Sequence, residues 1–208
     1  MLTLITIPRD LQAHPHVWVT TRTELVFNKD GRLTSLRHHW EFDEAYSAFA
    51  VMGLDNDRDG KPDPAMLAEL AKTNVASLAE FSYFTIVQAN GVNVAFRTPT
   101  EYAQNFDGGK LYIYFILPLK TPVISNTITL KIEDPSYFVA LILSDGPDAV
   151  TMANAPSNCD LRVRRPETAL GKGTQIFSDD IAAALSGRSD TTSLQAEKFV
   201  GRIMVSCS

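Results

Sequence analysis

Val17-Trp-Val-Thr-Thr-Arg-Thr-Glu-Leu-Val-Phe-Asn28 is rich in β-branched and aromatic residues, the composition of a β-strand. Lys29-Asp30-Gly31-Arg32 then supplies a turn, and residues 33–42 form a second strand, so the two pair as a hairpin. Downstream, Glu44 to Met52 suits a short helix. Pro64 to Ala79 suits a longer one, with Leu67, Leu70, Ala71, Val75 and Leu78 at helical spacing. Asp63 is placed to cap that helix, with Pro64 at its first position.

Beyond residue 80 the signals are mostly those of strands. Residues 81–89 and 92–98 flank Asn90-Gly91, a hairpin turn pair. Asp107-Gly108-Gly109 is a further turn and leads into Lys110–Pro118. There Leu111, Ile113, Phe115 and Leu117 alternate with Tyr112, Tyr114 and Ile116. Residues 127–133 and 137–143 are strands around Asp134-Pro135-Ser136, and 160–164 and 199–206 are short late strands. Ser178 to Leu185 reads as a short C-terminal helix. The fold class is therefore α+β: an antiparallel β-sheet or sandwich with a helical insertion near residues 43–80, in one domain spanning 14–208.

The 208 residues carry a formal net charge of −5, which leaves no basic footprint for nucleic acid. No apolar run reaches the ~20 residues of a membrane-spanning helix. Met1-Leu-Thr-Leu-Ile-Thr-Ile-Pro8 is short and mostly apolar, and Ala13 is a small residue of the kind that precedes a cleavage site. Residues 1–13 are expected to be the remnant of an export signal or a disordered leader. Cys159 and Cys207 lack the spacing of a zinc site. In an exported chain they pair as one disulfide; in a cytosolic chain they stay as two buried thiols.

All four histidines lie in the first 39 residues: His14, His16, His38 and His39. Imidazole is the commonest protein ligand for zinc, copper and nickel. Alternate residues of a strand share a face, so His14 and His16 point one way. The hairpin is expected to bring one of them near His38 or His39, with Asp43 and Glu44 close by. Cleavage after Ala13 would add a free α-amine beside the His14 ring. Pro15 has no N–H to lose, which excludes the square-planar amino-terminal copper or nickel site that needs that amide. The bland alternative is that His38 and His39 are packed or solvated strand residues, and that the His-Pro-His start only anchors a strand.

A second constellation is Asp55-Asn-Asp-Arg-Asp-Gly-Lys-Pro-Asp63. Carboxylates at positions 1, 3, 5 and 9, with glycine at 6, match an EF-hand calcium loop, except that Met66 stands at position 12 where a bidentate Glu is expected. Asp55, Asp57, Asp59 and Asp63 are the expected hard-cation ligands. The competing reading is an Asp-rich turn held by its own side-chain hydrogen bonds. No nucleophile elbow or acid–base set is visible, so binding is expected over catalysis; an enzyme with a histidine-held copper is the weakest of the readings.

His14-Pro-His-Val-Trp-Val19, Trp40-Glu-Phe-Asp-Glu-Ala-Tyr-Ser47, Leu54-Asp-Asn-Asp-Arg-Asp-Gly60, Asp134-Pro-Ser-Tyr-Phe138 and the two late cysteines together resemble the domain-of-unknown-function 1007 family. Members are described as uncharacterised periplasmic components of ABC-type transport systems, many encoded beside nickel/cobalt permeases. The resemblance runs from about residue 13 to the C-terminus. It implies a periplasmic accessory protein that partners a metal permease; joined to the residue patterns above, the expected reading is one that binds nickel, cobalt, zinc or copper through His14, His16, His38 and His39 and holds calcium weakly at the Asp-rich loop. The alternative it leaves is an interaction module that binds no transition metal and docks on a transporter or envelope protein.

Overall fold

The computed structural model describes residues 15–136, 138–165 and 201–208. The leader, His14 and the helix expected at 178–185 lie outside the described residues.

The hairpin forms as read: β1 (Val17–Phe27) pairs antiparallel with β2 (Leu33–Phe42), Leu25 opposite Leu36 and Arg22 opposite His39. Asn28 locks the turn. Its side-chain oxygen accepts from the backbone N–H of Asp30 (3.0 Å) and of Arg32 (2.9 Å). Two helices follow, α1 (Glu44–Ala50) and α2 (Pro64–Leu78). The remaining strands are β3 (Thr85–Ala89), β4 (Val92–Asn93), β5 (Tyr102–Asp107), β6 (Lys110–Val123), β7 (Thr127–Ile132), β8 (Val139–Leu143), β9 (Val150–Ala153), β10 (Cys159–Arg164) and β11 (Arg202–Cys207).

These strands make two sheets. The first has the order β5-β6-β2-β1-β8, with β9 also on β1; the second runs β10-β11-β7-β3-β4. Pairing is antiparallel except that β8 and β9 both run parallel to β1. One apolar cluster joins the sheets: Leu25, Leu36, Trp40, Ile113, Phe115 and Leu117 from the first, Val87, Ile128, Leu130, Ile203 and Val205 from the second. Alternate side chains of a strand point to opposite faces. Burial of the odd-numbered residues of β1 therefore sends Arg22 and Glu24 to the outer face.

Two strand expectations need correction. Residues 81–84 are not strand. They end a 3-10 segment in which Ser82, Tyr83 and Phe84 all take positive φ (51°, 56° and 48°). Left-handed backbone at a non-glycine residue costs about 1–3 kcal/mol. Here it turns the chain from α2 into β3, and the Thr85 hydroxyl donates to the Tyr83 carbonyl (2.8 Å). Residues 94–98 keep only a single bridge, Phe96 to Leu119. Between β7 and β8 the Asp134 link carries the chain from the second sheet to the first. The buried Asp134 carboxylate holds that crossing, accepting from the Ser136 N–H (2.8 Å), the Ser136 hydroxyl (2.7 Å) and the Val139 N–H (2.9 Å).

Cys159 and Cys207 face each other across the β10–β11 ladder and form a disulfide. Among the described residues no helix is long and apolar enough to cross a membrane.

Candidate functional site

Among the described residues, His16, His38 and His39 do not assemble. His38 lies on the inner face of β2 and is buried between the sheets. Its Nδ1 is 3.0 Å from the Thr23 hydroxyl, its Nε2 is 3.4 Å from the Thr85 hydroxyl, and its ring stacks on Phe115 at 4.8 Å. Burial pushes its pKa down to about 3, so the ring is neutral. Both nitrogens are engaged, and the histidine serves to tie β1 and β3 across the core.

His39, the next residue, points outward, as strand alternation demands. Its ring stacks on Tyr114 at 4.3 Å, and its Nε2 is buried without a hydrogen-bond partner. Desolvation, then the neighbouring Arg22 cation, lower its pKa; Glu41 opposes them. His16 is exposed ahead of β1, 5.0 Å from the Phe138 ring. His39 sits opposite Arg22, six positions beyond His16, so roughly 20 Å of extended chain separates His16 from the level of His39. A site shared by His16 with His38 or His39 therefore does not form. Among the described residues, no group of three converging metal-ligating side chains includes a histidine.

Asp43 is equally structural. It caps α1, accepting from the Tyr46 N–H (2.9 Å), and its other oxygen accepts from the Trp18 N–H (2.8 Å).

The Asp-rich loop does converge. Asp55, Asp57 and Asp59 each offer a carboxylate oxygen, and the three atoms lie within 4.8 Å of one another. The backbone holds them there. Asp55 accepts from the N–H groups of Asp59 (3.2 Å) and Gly60 (3.0 Å), and Asp59 accepts from Lys61 (2.8 Å). Arg58 and Gly60 take positive φ, 62° and 87°, to close the turn. Asp63 is outside this group. Its side chain makes no cap bond to α2 and instead accepts from the Asn56 N–H (3.1 Å). Met66 occupies the position of the missing bidentate Glu, with its sulfur 2.9 Å from the Asn56 amide nitrogen. Three hard oxygens around one point fit a divalent cation such as calcium better than a soft transition metal.

A feature that the sequence reading missed lies on the outer face of the first sheet. Arg22, His39 and Tyr114 form one transverse row on β1, β2 and β6; Glu24, Arg37 and Ile116 form the next. The two rows border a depression of about 490 Å³ that Glu101 and Asp148 also line. Strand alternation could have placed these residues on one face, but not the pairing of β6 with β2.

This is a two-sheet α+β fold with one disulfide and an acidic loop between α1 and α2. The family model described as "Protein of unknown function (DUF1007)" matches residues 1–207, and the chain belongs to that family. A comparison with curated proteins gave no match.

Proposed function

We propose that the protein is an exported metal-binding accessory component of a transition-metal transport system, working in the periplasm beside a permease for nickel, cobalt or zinc. The convergence of Asp55, Asp57 and Asp59 carries the metal-binding reading. That loop takes a hard cation and braces the connection between α1 and α2. Transition-metal chemistry then falls to the N-terminal pair: His14, with an α-amine if cleavage follows Ala13, and the exposed His16. Export is supported by the disulfide, a bond that persists in oxidising compartments.

Calorimetric titration of the disulfide-bonded protein tests both parts. Calcium is expected to bind at a Kd on the order of 10⁻⁴–10⁻³ M, and to be lost in Asp57→Asn with Asp59→Asn. Nickel is expected to bind at about micromolar Kd and to be lost in His14→Ala with His16→Ala, weakening below about pH 6 as the imidazoles protonate. Wild-type heats at background for both metals would overturn the reading.

A second reading, docking on a transporter or envelope protein without a transition metal, draws on Phe49 and Met52. Both are more than two-thirds exposed beside the acidic loop. Crosslinking that depends on these two side chains and persists in the His14/His16 double variant would favour it.

A further inference from the structure

A second cleft, of about 470 Å³, lies where the chain crosses from β4 to the first sheet, and its size is that of a small-molecule site. One wall is the stretch 93–98. That stretch is held on both sheets: the Val94 N–H donates to the Val87 carbonyl (2.9 Å) and the Arg97 N–H to the Pro118 carbonyl (2.9 Å). Another wall is the 3-10 turn after α2. Its left-handed run buries Tyr83 and Phe84 and leaves Ser82 exposed on the cleft. Backbone strain of this kind concentrates at ligand clamps and active sites, where the surrounding structure holds it in place.

Among the described residues that line this cleft, Arg97 is the only charged one. Its Nε (3.2 Å) and Nη2 (2.9 Å) both donate to the Lys120 carbonyl. Those bonds occupy the side edge of the planar guanidinium and fix its orientation. The end edge, where Nη1 and Nη2 carry parallel N–H groups, is left over. Among the described residues Nη1 makes no hydrogen bond and Arg97 no ion pair, and the residue is exposed. Two parallel N–H groups match the two oxygens of a carboxylate. One guanidinium balances one negative charge, whereas a phosphate monoester dianion would keep a second charge uncompensated. Ser82 and Thr98 add hydroxyls, and Ile86, Val94 and Phe96 add apolar surface.

We infer that this cleft binds a small organic monocarboxylate, with its carboxylate on the end edge of Arg97 and its apolar body over Ile86, Val94 and Phe96. The site shares no residue with the acidic loop or the histidines, so this proposal and the metal-binding reading fail separately.

The test is an NMR titration of the full, disulfide-bonded chain with hexanoate, repeated with hexanamide, acetate and phenyl phosphate. Hexanoate should give saturable shifts centred on residues 82–86 and 94–98, with the Arg97 Nε signal among those that move, a readout that needs no variant to fold. Hexanamide, which has the tail without the charge, should bind about tenfold or more weaker. Acetate, which has the charge without the tail, should bind about fivefold or more weaker. Arg97→Gln should weaken hexanoate by about tenfold or more and hexanamide little, because the amide never made the charged contact. Arg97→Lys, which keeps the charge but not the fork, should fall between wild type and Arg97→Gln. Absence of saturation with hexanoate overturns the proposal, as do shifts confined to other regions. So does hexanoate binding that Arg97→Gln leaves unchanged, or that hexanamide or acetate equals. Tighter binding of phenyl phosphate than of hexanoate overturns the choice of a carboxylate.

Discussion

The rings of His38 and His39, consecutive in the chain, occupy opposite faces of one strand: His38 stacks on Phe115 in the core and His39 on Tyr114 outside it. The inner ring makes the fold sensitive to acid. Its folded pKa, about 3, lies below the ordinary 6.5, so the unfolded chain binds the extra proton first. Above pH 6.5 the stability is fully present, and it falls as pH drops from 6.5 toward 3, by at most about 1.4 kcal/mol per pH unit. Urea denaturation at pH 7.5 and pH 5 should therefore show a loss on the order of 2 kcal/mol in the wild type. His38→Gln, which has no proton to gain, should lose clearly less over the same interval even if it starts less stable. Equal losses would remove His38 as the cause.

The bond between Cys159 and Cys207 joins positions 48 apart in sequence and pins the end of β11 to β10. In the chain-entropy account a loop of that length contributes up to about 4 kcal/mol. Reduction, or Cys159→Ser with Cys207→Ser, should lower the thermal midpoint by many degrees. The calcium isotherm of the Asp-rich loop should be unchanged at a temperature where the fold persists, because the loop lies outside the β10–β11 ladder. A midpoint that ignores reductant would mean the bond constrains little.

The cysteine pairing followed only from reading the chain as exported; the hairpin and the helical insertion were legible because each rests on local pattern, β-branched runs and helical spacing. The assembly of β1, β2 and β6 was not, since it depends on which strands become neighbours over more than 70 residues of chain. That is why His38 and His39 stood as alternatives for a partner of His14 or His16. Alternation already assigned them to opposite faces, but not which face is core. Asp63 fits a cap by spacing, and only the folded loop reveals that it turns back to Asn56. The left-handed run at Ser82–Phe84 contradicts local propensity, since none of the three is glycine. Tertiary packing of the buried Tyr83 and Phe84 overrides it.

Asp43 couples three elements. Beyond its two side-chain bonds, its backbone N–H donates to the Trp18 carbonyl (2.9 Å), and its own carbonyl accepts from the buried Ser47 hydroxyl (2.6 Å). Ser47 in turn accepts from the Leu111 N–H (2.9 Å). Asp43→Ala removes a helix cap and leaves the Trp18 N–H without its acceptor, which should cost about 1–3 kcal/mol. Asp43→Asn keeps an acceptor oxygen and should recover part of that loss. Hydrogen exchange should quicken at Trp18 and Tyr46 in the alanine variant. Unchanged exchange at both amides would show that water replaces the carboxylate at no cost.

Gly60 offers the sharpest test of the acidic loop. Its φ is +87°, and a Cβ built there meets nothing within 4 Å, so substitution acts through the backbone alone. Alanine at this position must either bear left-handed strain or shift the turn, a penalty of about 1–2 kcal/mol. The Gly60 N–H is one of the two backbone donors that orient Asp55, so a shift also moves a ligand oxygen. Gly60→Ala should therefore weaken calcium about fivefold to thirtyfold, with little effect on the thermal midpoint of the calcium-free protein if the exposed loop relaxes. Gly53, also at positive φ with open space around it, is the control: Gly53→Ala should leave the calcium isotherm alone. Equal calcium affinity in wild type and Gly60→Ala would mean that the three aspartates do not act as one wrapped site.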